Sequence, residues 1–179
     1  MSVTFRPATP ADAEAVALLH ADSWRRFYRG AFADSYLDGD LETERRSVWA
    51  GRLGEPSGTV TVVAEDARGF AGFVHVMLDH DPVYGSLLDN LHVAHDRQRS
   101  GIGRALIVRA AEGVVARAAR PTFYLWVLEQ NTRAQAFYQA QGGQLAGREA
   151  VNSQPKDRLN GDPYGLRVVW PDARMAPPR

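Results

Sequence analysis

The chain has 179 residues, 45% of them apolar and 23% charged, with 21 basic and 21 acidic side chains and no cysteine. That length suits one domain with an ordinary core, and zero formal net charge gives no basic surface for nucleic acid or an anionic membrane. The missing cysteine removes thiol nucleophiles, disulfides and thiolate metal sites; with no signal-like N-terminus and no apolar run near the roughly 20 residues of a membrane span, a cytoplasmic protein is expected.

Residues 3–6 alternate as a short strand. A helix start follows, with Thr9 as cap, Pro10 in the first turn, and Asp12 and Glu14 at the positive end of the dipole. Val16, Leu19, Trp24 and Phe27 predict one buried face, with a break near Gly30. A second helix is expected over residues 41–53. The period then changes to two: residues 59–66 and 69–80 read as a hairpin turning at Asp66–Gly69, and 85–93 as a third strand of this group. Ile102, Leu106, Ala110 and Val114 form a helical stripe that predicts a helix to about residue 119, before Pro121. Residues 122–127 read as a strand and 132–141 as a short helix, with Asn131 or Thr132 as cap and Gly142-Gly143 as stop. Strands are expected at 144–151 and 164–170. The result is one mixed α/β domain over residues 1–171, with about six to seven strands and about four helices. Residues 172–179 read as a flexible tail.

The junction at residues 91–104, LHVAHDRQRSGIGR, holds more than a turn needs. A strand passes into a helix through two glycines, with Arg97, Arg99 and Arg104 around them. The first amides of a helix lack intrahelical partners and point outward at the positive dipole end, which builds an anion site. A tight turn with solvated arginines is the alternative. The Walker loop requires Gly-Lys-Ser/Thr where this chain has Gly103-Arg104-Ala105, and the dinucleotide fingerprint requires a third glycine where Leu106 stands. Both nucleotide readings are weak.

Gln98-Arg99-Ser100-Gly101-Ile102-Gly103 resembles the acyl-CoA-binding motif Gln/Arg-x-x-Gly-x-Gly/Ala of the GNAT superfamily of N-acyltransferases, and Leu91-His92-Val93 stands where that family has Leu-x-Val. Asn131, Ala134, Phe137, Tyr138 and Gly142 resemble its next motif. The element order matches too, so the resemblance covers most of the chain and is most specific over about residues 87–145. Gly143 departs from it, standing where many relatives carry a packing aromatic.

The resemblance implies a mixed sheet with splayed fourth and fifth strands and acetyl-CoA as acyl donor in the cleft between them. Amides of Leu91 and Val93, with His92 between them, would hold the pantetheine arm and polarise the acetyl carbonyl. Amides after Gln98, through Arg99, Ser100, Gly101, Ile102, Gly103 and Arg104, would take the pyrophosphate. Asn131, Arg133, Ala134, Phe137 and Tyr138 would line the opposite side. Tyr138 matches the usual general acid for the departing thiolate, although a core aromatic beside Phe137 is the alternative.

Asp89 is the leading candidate base, with His92 as rival because its pKa lies near neutrality. Strict alternation places Asp89, Leu91 and Val93 on one face and Asn90 and His92 on the other, unless a bulge intervenes. Trp24, Tyr28, Trp126 and Asp89 are candidates for the acceptor wall. Trp24 and Tyr28 would stack four residues apart, beside Arg25 and Arg29. Asp79 and Asp81 could join Asp89 in attracting an amine. His92 with His95, and His75 with His80, lack a third ligand, so no metal is expected.

The function expected is acetyl transfer to a primary amine of a small molecule, with no nucleic acid or membrane partner. A protein N-terminus or lysine as acceptor, and a non-catalytic acyl-CoA-binding module, stay open. A homodimer is compatible with the resemblance.

Overall fold

A computed structural model describes residues 2–176. Its strands are β1 Thr4–Pro7, β2 Thr59–Asp66, β3 Gly69–Asp81, β4 Gly85–Val93, β5 Phe123–Leu128, β6 Gln144–Ala150 and β7 Tyr164–Trp170; its helices are α1 Ala13–Phe27, α2 Asp34–Leu37, α3 Leu41–Gly54, α4 Ile102–Arg117 and α5 Thr132–Ala140. The expected elements are present. The four-residue α2 is additional, and Pro10–Asp12 is a 3-10 turn ahead of α1. In that turn the Asp12 carboxylate accepts the Thr9 amide at 2.7 Å and pairs with Arg6 at 2.8 Å.

One sheet runs in the order β1-β2-β3-β4-β5-β7-β6. Its neighbours are antiparallel except β4 and β5, which run parallel. Val63 and Phe73 face α1 and α3, where they pack with Val16, Ala17, Trp49 and Leu53. Val74 and Val76 face the other way, against Ile102, Leu106, Ala110 and Val114 of α4. That helical stripe is fully buried as its spacing predicts, each large side chain contributing roughly 1.5–3 kcal/mol.

Two irregularities open the sheet. Parallel pairing of β4 with β5 is confined to Ser86↔Phe123 and Leu87↔Tyr124. The strands begin close together because Gly85 has no side chain: a Cβ there would lie 2.2 Å from the Thr122 carbonyl oxygen. Beyond Leu87 they part. On β4's other edge, the register with β3 passes from Val76↔Leu88 to His75↔Asn90, so Asp89 is one residue too many. A bulge of this kind bends its strand, here at the point where β4 leaves β5.

The chain after Trp170 differs from the flexible tail expected over residues 172–179. Asp172 caps a 3-10 turn, Ala173–Met175, and Ala173 is buried in the core beside α4. Residues 177–179 lie outside the described residues. Gly143 also has a packing explanation. A Cβ there would meet Val168 at 2.4 Å and the Trp170 indole at 2.8 Å, so these two side chains leave no room for a larger residue. Among the described residues no helix is long and apolar enough to cross a membrane.

Candidate functional site

Where β4 and β5 separate, a cleft of about 390 Å³ opens. The ladder shows which β4 groups face it. Ala94 donates its amide to Ala71 at 2.9 Å, and opposed residues alternate between bonded and non-bonded pairs. Asn90 and His92 therefore bond β3, while Leu91 and Val93 turn their N–H and C=O groups toward the gap. Gln98 Nε2 already reaches the Val93 carbonyl at 3.4 Å. A free strand edge of this sort matches an extended chain of amides.

The cleft continues to the start of α4. Gly101 is the helix N-cap with φ +88°, and Arg99 is left-handed with φ +62°. A non-glycine residue in that region is uncommon and often marks a built site. The backbone turns so that the first α4 amides point into the opening at the positive dipole end. Gln98, Arg99, Gly101, Gly103 and Arg104 line it. Ser100 and Ile102 do so with neither side chain: Ser100 Oγ donates to the Arg97 carbonyl at 2.6 Å, and Ile102 is 3% exposed in the core. What these two can offer an anion is backbone. Arg97, expected beside the anion, is instead held by Asp96 and Asp66.

β5 and α5 form the far side. Asn131 caps α5, its Oδ1 accepting the Ala134 amide at 3.1 Å, and Arg133 donates to Gln98 Oε1 at 3.2 Å across the cleft. Ala134, Phe137 and Tyr138 line the same wall. Tyr138 also packs on the core, its ring 6.3 Å from Trp170, so one ring both fills the core and borders the cleft. Burial, then the neighbouring Tyr28, raises its phenol well above the ordinary value, and the group stays protonated at neutral pH.

A second cavity of about 520 Å³ adjoins the first, and Tyr28 and Trp126 line both. Trp24 and Tyr28 stack at 5.3 Å as their spacing predicts. Burial and the Asp89 carboxylate push the Tyr28 phenol up to about 12. Asp89 lies here, on the side of α3. The bulge adds one residue to the alternation, so Asp89 joins Asn90 and His92 on that side while Leu91 and Val93 remain on the α4 side. The expected grouping of Asp89 with Leu91 and Val93 is thus corrected. Asp89 Oδ2 accepts from Arg52 Nη1 and from Asn90 Nδ2, each at 2.7 Å. Both bonds fall on one oxygen.

His92 sits behind Asp89, its ring stacked 4.9 Å from His20. Burial pushes its imidazole down to about 4, which leaves it neutral and a weak proton acceptor. Asp79 and Asp81 are elsewhere, bonded to the Ala119 amide and to the Val83 and Tyr84 amides. Arg25 and Arg29 are likewise engaged, with Glu42 and with Asp34 and Asp38. Among the described residues no group of three or more His, Asp or Glu is placed to hold a metal.

Sequence reasoning missed His20, Arg45, Arg52 and Asn90, all of which line the second cavity. A signal existed for one of them. Leu41, Arg45, Trp49 and Leu53 recur every four residues, and all four are buried. An arginine inside an apolar stripe is the kind of exception that marks a site.

Comparison with known proteins agrees with this fold. The family model described as an Acetyltransferase (GNAT) domain matches residues 57–142. The chain is 33% identical over 142 residues to the uncharacterized N-acetyltransferase YuaI of Bacillus subtilis, covering 77% of this chain and 78% of that one. Among solved structures, the PaiA N-acetyltransferase of Thermoplasma acidophilum in complex with coenzyme A superposes with a TM-score of 0.72 at 17% identity, over 95% of this chain and 100% of that one. NAA60 of Arabidopsis thaliana in complex with a bisubstrate analogue gives 0.67 at 17% identity, over 94% and 97%.

Proposed function

Since this chain belongs to the GNAT acetyltransferases, and so is an acetyl-CoA-dependent acyltransferase, we propose that its acceptor is a primary amine of a small molecule. In this reading the amine attacks directly while both reactants are held. The observation that carries it is the pair of adjoining cavities, one with strand and helix amides, the other with a carboxylate, meeting at Tyr28 and Trp126.

The residues present fit the donor. The outward edge of Leu91 and Val93 suits the pantetheine amides, and the left-handed Gly101 aims the first α4 amides at phosphate. Arg99 adds charge at the mouth. Bound acetyl-CoA supplies an acetyl group already activated as a thioester. The chain then has three tasks. One is to hold the amine in near-attack geometry, which falls to the acceptor cavity. Another is to accept a proton from an ammonium whose reference pKa is about 10.4. Asp89 performs it through Oδ1, passing the proton to water in the cavity, since Oδ2 is taken by Arg52 and Asn90. His92, neutral and weakly basic, keeps the strand and the neighbouring ring in place. The last is to polarise the carbonyl and protonate the thiolate, by the Leu91 or Val93 amide and by Tyr138.

The test is acetyl-CoA-induced thermal stabilisation followed by an amine panel read by thiol release. Stabilisation with thiol release from a small amine supports the reading. Stabilisation with no release from any amine favours a binding module, and release only with peptides favours a protein acceptor.

A further inference from the structure

Asp89 is the extra residue of the β4 bulge, so the ladder with β3 does not fix its direction. A bulge re-aims the side chain it carries, and other contacts have to hold it. Two donors do so on a single oxygen: Arg52 Nη1 and Asn90 Nδ2 each lie 2.7 Å from Oδ2. Asn90 is the next residue along the strand. Arg52 comes from the last turn of α3, 37 residues away in the chain.

Arg52 is itself seated on the core. Trp49 stands three residues before it, on the same helix face, and helical side chains lean back toward the N-terminus. The Arg52 guanidinium accordingly lies 5.1 Å from the Trp49 ring centre, a cation over an aromatic ring. That indole is fully buried and held on two further sides. Its N–H donates to His20 Nδ1 of α1 at 2.9 Å, and Phe73 of β3 packs edge-on at 5.0 Å. Burial, above all, keeps the His20 imidazole neutral, so Nδ1 accepts. The succession His20, Trp49, Arg52, Asp89 thus joins α1 and α3 to the bulge of β4. The ion pair at its end adds little to stability, since the Arg52 and Asp89 side chains are 31% and 30% exposed. What it supplies is a direction for the carboxylate.

Resting on Asp89 as the proton acceptor proposed above, we infer that Arg52 is a positioning residue for the acyl transfer: seated on Trp49, it holds Oδ2 of Asp89 and so presents Oδ1 to the second cavity. Its effect on the reaction passes through Asp89.

A double-mutant cycle on the full chain tests this, with Arg52→Met, Asp89→Asn and the two combined, and with whichever acceptor releases thiol fastest, small amine or peptide. Methionine keeps an apolar stem over Trp49 and removes the charge; acetyl-CoA-induced thermal stabilisation checks each fold. Arg52→Met should lower kcat about tenfold or more, because a displaced catalytic group costs up to about 100-fold. In the Asp89→Asn background the same change should cost less than about twofold, the mark of residues that act as one unit. Arg52→Lys, which keeps the charge but not the planar fork, should recover at least about threefold of the loss. If Asp89→Asn leaves kcat/KM unchanged, or no acceptor releases thiol, the reading of Asp89 as proton acceptor falls and this inference with it. If Asp89→Asn loses activity and Arg52→Met does not, the positioning role alone is overturned. Equal losses from Arg52→Met with and without the Asp89 carboxylate also overturn it, since Arg52 would then act on the acceptor or the fold. No recovery in Arg52→Lys overturns it as well.

Discussion

Arg52 Nη1 lies 2.7 Å from Asp89 Oδ2, an ion pair that ties α3 to the bulge of β4. It fixes the carboxylate at the wall of the second cavity and leaves Oδ1 outside the pair.

Asp89→Asn keeps the bulge and the volume but removes the proton acceptor. We expect kcat/KM for the amine to fall about 100-fold at neutral pH, within the usual range for a general base. Acetyl-CoA affinity, measured by calorimetry, should change less than about twofold, because Asp89 lines the second cavity and not the cleft between β4 and β5. A variant with unchanged kcat/KM would remove Asp89 from proton transfer.

Tyr138→Phe deletes one hydroxyl from a side chain that otherwise packs against the core. Turnover should drop about 100-fold with little loss of acetyl-CoA binding, the lower end of the usual range because a thiolate leaves readily. Steady-state rates with saturating acetyl-CoA check this. Full activity would assign Tyr138 to packing alone.

At Gly101 a Cβ would meet no atom within 4 Å, yet φ is +88°. Gly101→Ala therefore isolates backbone conformation from crowding. Denaturant titration should show a loss of about 1 kcal/mol, and acetyl-CoA binding should weaken as the first α4 amides turn from the cleft. Intact binding would place the phosphates elsewhere.

Acid should destabilise the fold through its buried histidines. His92 and His75 are both pushed down to about 4 from an ordinary 6.5, chiefly by burial, and His20 is lowered too. Between those limits the unfolded chain binds protons that the folded chain refuses, so stability is full above about 6.5 and declines as pH falls toward 4. Each histidine contributes up to roughly 1.4 kcal/mol per pH unit in that window. Urea titrations from pH 7 to 4.5 measure the slope, and His92→Gln should make it shallower.

How far the sequence foretold this site depends on whether a feature was local. The helical stripe of α4 and the strand-to-helix glycine turn could be read because period and turn chemistry act over a few residues. The second cavity could not. His20 and Arg45 stand 25 residues apart on two helices, and they come together only in the folded chain, where both border the second cavity. Asp89 falls between the cases. Alternation put it on the wrong face, because a bulge depends on the register with β3, which no short window contains.

The most direct measurement is residue-resolved amide hydrogen exchange with and without acetyl-CoA. Added protection is predicted at Leu91 and Val93 and at the first amides of α4, Ile102 and Gly103, with β1 and β2 unchanged. No protection at these amides while acetyl-CoA stabilises the fold would contradict the cleft between β4 and β5 as the donor site.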